Sequence, residues 1–168
     1  MLERLGVYSF EIRQLKDIDR DFDGLIILGG ESTVQGKLIR DLSLFEPLKK
    51  KIAAGLPVLG TCAEMILLAE NIDNDDNRYF ATMPLTVKRN AYARQLSSFY
   101  TEGDFDGKSI PMTFIRAPYT SVPGKSQILS TVDGKVVAAR YENQLAVAFN
   151  PELNDDPTVH KYFIDMIK

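Results

Sequence analysis

One cysteine, Cys62, and one histidine, His160, stand among the 168 residues. A lone thiol cannot close an intramolecular disulfide, and it cannot furnish a cysteine-rich zinc site. Long apolar runs are also missing. The longest, residues 25–28 and 65–69, fall far short of the roughly 20 residues needed to cross a bilayer. The first six residues have neither the basic start nor the apolar stretch of a secretory signal, so the cytoplasm is the expected compartment. Lysines and arginines are scattered and the formal charge is only −3, so the electrostatic footprint of a nucleic-acid binder is absent. There is no internal repeat and no low-complexity tract. Small molecules or proteins are therefore the expected partners, with no metal and no cofactor.

With 45% hydrophobic and 26% charged residues, the chain reads as a single domain over residues 1–168 with a substantial core. Residues 1–6 read as the last turn of a helix closed by glycine, and residues 7–12 alternate as a strand does. The apolar run 25–28 has the character of a strand buried on both faces of a parallel sheet, ended by Gly29-Gly30. Helices are expected over 33–42 and 45–54, a strand over 57–59, and a helix over 63–70. The polar stretch 71–77 reads as a solvated loop without function. Later strands are expected over 85–89, 95–100, 112–117, 135–141 and 145–149. An amphipathic helix over 157–168 closes the chain, with Val159, Phe163, Met166 and Ile167 on its apolar side.

A short strand running into Gly60-Thr61-Cys62 and then directly into a helix has the layout of a nucleophile elbow, in which a tight turn lifts the nucleophile above the sheet edge. The helix amino terminus would favour the thiolate. The competing reading of Cys62 is a small buried hydrophobe.

The surrounding motifs favour chemistry. Gly29-Gly30-Glu31-Ser32-Thr33, Gly60-Thr61-Cys62-Ala63, Arg89-Asn90 with Arg94-Gln95, Phe114-Ile115-Arg116-Ala117-Pro118 and Pro151-Glu152-Leu153 follow one another in order. In that order they resemble the glutaminase subunits of pyridoxal 5′-phosphate synthase, the PdxT/SNO family of class I glutamine amidotransferases. The family's segments read approximately PGGEST, GTCAG, RNxFGRQ, FIRAP and HPEL. The resemblance spans essentially the whole chain. It implies a three-layer α/β fold, flavodoxin-like, with a mostly parallel sheet flanked by helices. It also implies that Cys62 attacks the side-chain amide of L-glutamine to form a thioester, with the Gly30 and Ala63 backbone amides as oxyanion hole. Gly30, Glu31, Ser32, Arg89, Ile115 and Arg116 fall at the family's substrate-holding positions, and the implied protein partner is the barrel-shaped synthase subunit.

Several positions depart from the pattern. The family's His-x-Glu pair reads Asn150-Pro151-Glu152 here, and an asparagine cannot take a proton from a thiol or return one to departing ammonia. Glu152 is then expected to hydrogen-bond the Asn150 amide and to orient nothing that titrates. Glu64 stands at an elbow glycine, where it is expected to strain the turn or to raise the Cys62 pKa. Ala93 replaces a loop glycine and Leu28 replaces a proline. His160 is expected on an exposed helix face, without a catalytic role. The amino terminus is shorter than the family pattern by about one strand and most of a helix, for which a swapped, oligomeric or truncated arrangement would account. Turnover is accordingly expected to be weak or absent. Two other readings stand beside this one: a non-enzymatic glutamine-binding or regulatory module, and a different cysteine hydrolase or redox sensor using Cys62 with Glu64 or Glu152.

Overall fold

A computed structural model describes residues 1–89 and 98–167. The sheet starts at β1 (Leu25–Ile27), followed by α1 (Ser32–Asp41) and α2 (Phe45–Ala53). Next come β2 (Val58–Thr61), α3 (Glu64–Leu68), β3 (Ala69–Ile72) and β4 (Met83–Lys88). The second half holds β5 (Phe99–Phe105), β6 (Lys108–Phe114), β7 (Tyr119–Val122), β8 (Gln127–Val132), β9 (Lys135–Tyr141) and β10 (Gln144–Val147), and α4 (Thr158–Ile167) ends it. The main sheet runs β1-β2-β10-β9-β7-β4-β3, with β8 added against β9. β1, β2 and β10 are mutually parallel, and β3 is parallel to β4. Helices flank this sheet, as the expected α/β class requires. No helix among the described residues is long and apolar enough to cross a membrane.

The parallel register decides where the chemistry can sit. Ile27 lies opposite Gly60, and Val147 lies opposite Thr61. The carboxyl ends of three adjacent strands therefore finish at one level, and Gly29, Cys62 and Asn150 leave from the same edge, where open α/β sheets bind ligands. Beneath that edge β2 and β10 are buried along their whole length. Leu59, Met65, Leu67, Leu68, Leu145 and Phe149 are among the residues that form this core. On the other side Phe114, at the end of β6, stacks on Phe99 with centroids 4.5 Å apart and meets Phe149 edge-on at 5.7 Å. These ring contacts press the end of β6 against the segment leading to Asn150.

Several elements differ from the sequence expectation. Residues 7–12 alternate but form no strand, because they find no pairing partner among the described residues. β1 is only half-buried, being the edge of the sheet rather than a strand covered on both faces. The helix expected to reach residue 70 stops at Leu68, where Ala69 turns extended and pairs with β4. β7 and β8 were not expected. β8 joins β9 through Asp133-Gly134, both at positive φ (50° and 72°), a two-residue turn that suits a hairpin. The expected strand over 95–100 begins at Phe99, and residues 95–97 lie outside the described residues.

Candidate active site

Cys62 has a φ of 56°, a left-handed conformation that costs a residue with a side chain roughly 1–2 kcal/mol. The surroundings hold it there: its backbone N–H donates to the Val147 carbonyl at 2.8 Å and approaches that of Phe149 at 3.3 Å. The strand end is thus the template for the elbow. The thiol is 5% exposed and donates to the Ile115 carbonyl at 3.4 Å. Burial pushes its pKa up, which the Asn150 side chain and the Ala63 backbone N–H oppose, while Glu64 and Glu152 push in the same direction as burial. The expected activation by the following helix therefore does not prevail. α3 has only five residues, too few for a strong terminal dipole, and desolvation of the thiolate outweighs it.

Gly29 determines how closely the elbow and Asn150 approach. A Cβ at Gly29 would lie 2.7 Å from Asn150 Oδ1 and 2.9 Å from Cys62 Cβ, so both side chains close on a point that only a glycine leaves open. The Asn150 backbone N–H donates to the Thr113 carbonyl at 2.8 Å, and its side-chain amide reaches the same oxygen at 3.4 Å. That second bond draws the amide toward β6, away from Glu152, so the expected Asn150–Glu152 hydrogen bond is not formed. Glu152 instead accepts from the Thr61 hydroxyl at 3.4 Å, and Thr61 in turn accepts from the Gly29 N–H at 2.9 Å. Burial raises the Glu152 pKa, and its Oε2 is enclosed without a partner among the described residues.

Glu64 is fully buried at the first position of α3, and neither carboxyl oxygen has a hydrogen-bond partner among the described residues. Burial pushes its pKa up to about 8, against its own backbone N–H and that of Gly30, which face the carboxyl without forming a hydrogen bond. The backbone at Glu64 is not left-handed, so the expected strain is carried by Cys62 itself. His160 is buried, 3% exposed, not on an exposed helix face. Its position in the first turn of α4 turns it into the core, and burial followed by the amino-terminal ammonium holds its pKa below the ordinary value. It does not line the cleft described next.

A cleft of about 700 Å³ opens over Cys62. Gly29, Gly30, Glu31, Ser32 and Ala63 line it together with Arg89, Ile115, Arg116 and Asn150. Ile66 and Ser98 complete the lining, and nothing in the motifs singled them out. Glu31 caps α1, its two carboxyl oxygens accepting the Thr33 and Val34 N–H groups at 3.0 and 2.8 Å, and these bonds hold its pKa below the ordinary value. Ser32 is buried and accepts from Arg89 Nη1 at 2.6 Å. Arg89 Nε donates to Asp75 at 3.1 Å and Nη2 to the Tyr79 hydroxyl at 3.4 Å. The stretch 71–77, expected to be a solvated loop without function, instead begins as the end of β3 and supplies in Asp75 an anchor for Arg89 at the cleft. Ile115 and Arg116 are exposed at the mouth, Arg116 with a φ of 45°. Asn90, Ala93, Arg94 and Gln95 lie outside the described residues.

Three comparisons bear on this geometry. The SNO glutamine amidotransferase family matches the chain over residues 1–168. The pyridoxal 5′-phosphate synthase subunit PdxT of Desulfitobacterium hafniense (strain DSM 10664 / DCB-2) is 57% identical over 169 residues, covering 99% of this chain and 85% of that protein. The protein of the same name from Haemophilus influenzae (strain PittEE) is 52% identical over 173 residues, covering 100% of this chain and 90% of its own length. A crystal structure of a glutamine amidotransferase superposes with a TM-score of 0.91 at 34% identity, over 99% of this chain and 89% of that one.

Proposed function

This chain belongs to the SNO glutamine amidotransferase family, and we propose that it is a glutaminase-type subunit of pyridoxal 5′-phosphate synthase whose own turnover is weak. In this reading one domain spanning residues 1–168 works in the cytoplasm, binds L-glutamine, and docks on the barrel-shaped synthase subunit that receives ammonia. The relatives that carry the synthase-subunit name support the assignment. The observation that carries the chemistry is Cys62 on its left-handed elbow at the floor of a cleft edged by Gly30, Arg89 and Arg116.

Cys62 Sγ attacks the carbon of the glutamine side-chain amide. The oxygen gains charge beside Gly30 and Ala63, whose backbone N–H groups are the donors that the family resemblance assigns to it, a pair of the kind worth a few kcal/mol at the transition state. The C–N bond breaks, the leaving nitrogen takes up the proton that the thiol gave up and departs as ammonia, and water hydrolyses the thioester to glutamate and restores the Cys62 thiol. Arg89 and Arg116 offer guanidinium groups to the substrate carboxylate, and Glu31 and the Ile115 segment border its other end. The difficult steps are those that move protons. Asn150 cannot accept the thiol proton or protonate the leaving nitrogen, and the raised thiol pKa leaves little thiolate at neutral pH. Those two features also favour the second reading, a glutamine-binding module that regulates without turnover.

A glutaminase assay with and without the synthase subunit, run on the native chain and on Asn150→His, tests the proposal. Loss of the base in a nucleophile–base–orienter site costs on the order of 10³ to 10⁶ in rate, and Asn150→His is expected to recover a measurable part of it. Robust hydrolysis by the native chain, abolished in Cys62→Ala, would mean that another group serves as base.

A further inference from the structure

Arg89 follows β4 directly, and its guanidinium is held from three directions. Asp75 Oδ2 takes Nε at 3.1 Å, the buried Ser32 hydroxyl takes Nη1 at 2.6 Å, and the Tyr79 hydroxyl takes Nη2 at 3.4 Å. Asp75 is itself held. Its other oxygen, Oδ1, accepts the Asn77 backbone N–H at 2.8 Å and the Asn77 side-chain amide at 2.7 Å, so the carboxylate cannot rotate without breaking both. The segment carrying Tyr79, between β3 and β4, is pinned in turn by Arg40, whose Nη2 donates to the Arg78 carbonyl at 2.9 Å.

An exposed Arg–Asp pair contributes little, because two long side chains are ordered in water for a screened attraction. This pair differs in being three-quarters enclosed, with 23% and 22% of the two side chains exposed, and in that its Arg89 lines the cleft. A guanidinium has five N–H groups in a rigid plane. With Nε and one N–H of each terminal nitrogen engaged, its side-on fork is closed to a ligand. Each terminal nitrogen keeps one further N–H, so two of the five remain for the two oxygens of a carboxylate.

We infer that Asp75 is a positioning residue for the substrate carboxylate: acting through Arg89, it closes the side-on fork and leaves the two remaining N–H groups to the cleft. The inference rests on the glutamine reading of the site and adds the residue that selects an α-carboxylate there. Asp75 stays ionised below the ordinary carboxylate range, held first by the Asn77 amides and then by Arg89, so the anchor persists into mild acid.

The test compares two reagents that alkylate Cys62, followed by mass spectrometry. The chloromethyl ketone analogue of glutamine carries the α-carboxylate, and iodoacetamide does not; with either one the Cys62 sulfur forms an S–C bond as halide leaves. Asp75→Ala is expected to slow the glutamine analogue by about tenfold or more, the usual scale for losing one partner of an enclosed charge pair, and to leave iodoacetamide unchanged. Equal slowing of both reagents, or of neither, overturns the inference. If Asp75→Ala does not fold, Asp75→Asn, which keeps the shape of the side chain and removes its charge, is expected to give the same selective slowing, and its absence is equally fatal. A native chain whose reaction with the glutamine analogue is not slowed by free glutamine overturns the glutamine reading itself, and the inference with it.

Discussion

Glu64 illustrates how a single residue takes its chemistry from its surroundings. With both oxygens enclosed and unpartnered, the carboxyl is far easier to bury neutral than charged, and its pKa rises to about 8. In the unfolded chain the same group ionises near the ordinary glutamate value of 4.5. Between those values the native state holds a proton that the unfolded state has released, so stability falls as pH rises through the window and levels off above it. The full swing is on the order of 4–5 kcal/mol. Glu64→Gln cannot ionise, so its stability advantage over the native chain should be smallest near pH 4.5 and grow up to pH 8, read as urea midpoints. Parallel pH curves for the two proteins would refute this account of Glu64. The same bookkeeping bears on Cys62: at neutral pH Glu64 is mostly uncharged, and the high thiol pKa is chiefly a matter of burial.

At the scale of elements, three parallel strand ends and one glycine make the site. β1, β2 and β10 stop in register, and Gly29 lets the first of them lie against the elbow and Asn150. Gly29→Ala would press a methyl group into Asn150 Oδ1 and Cys62 Cβ, so one of the three strand ends must move. The expected cost is about 1–3 kcal/mol of stability, measured by denaturant unfolding, together with an altered Cys62 alkylation rate. If neither changes, the 29–30 turn moves freely and does not template the site. The elements themselves were legible to different degrees. α1, α2, β9 and α4 announce themselves through apolar spacing and end signals. β8 was available in the Asp133-Gly134 turn between two strand-like runs. β3 was not available, because Ala69 and Glu70 continue a helical pattern, Asn71 and Ile72 open a polar stretch, and the four become a strand only by pairing with β4.

For the whole molecule, binding and folding are one equilibrium. If glutamine occupies the cleft, it raises the melting temperature by mass action, by about 2.7 kcal/mol of stability at a concentration 100 times Kd. Arg116→Ala should abolish that shift in a thermal-denaturation titration, and an unchanged shift would assign Arg116 a structural role only. Such coupling joins parts of the chain that the sequence keeps far apart. Arg89 meets Ser32 across 57 positions, and Thr61 meets Glu152 across 91. The sequence by itself determined the family, the elbow at Cys62 and the absence of a histidine at the Asn150 position, because each is written in a few consecutive residues whose side chains and turn preferences are local properties. Only the tertiary structure decided that Glu64 and His160 are buried, that Asn150 bonds to Thr113 and not to Glu152, and that Asp75 braces Arg89. Burial and hydrogen-bond partnership are properties of the space between distant segments, and that space exists only once the sheet has closed over its core.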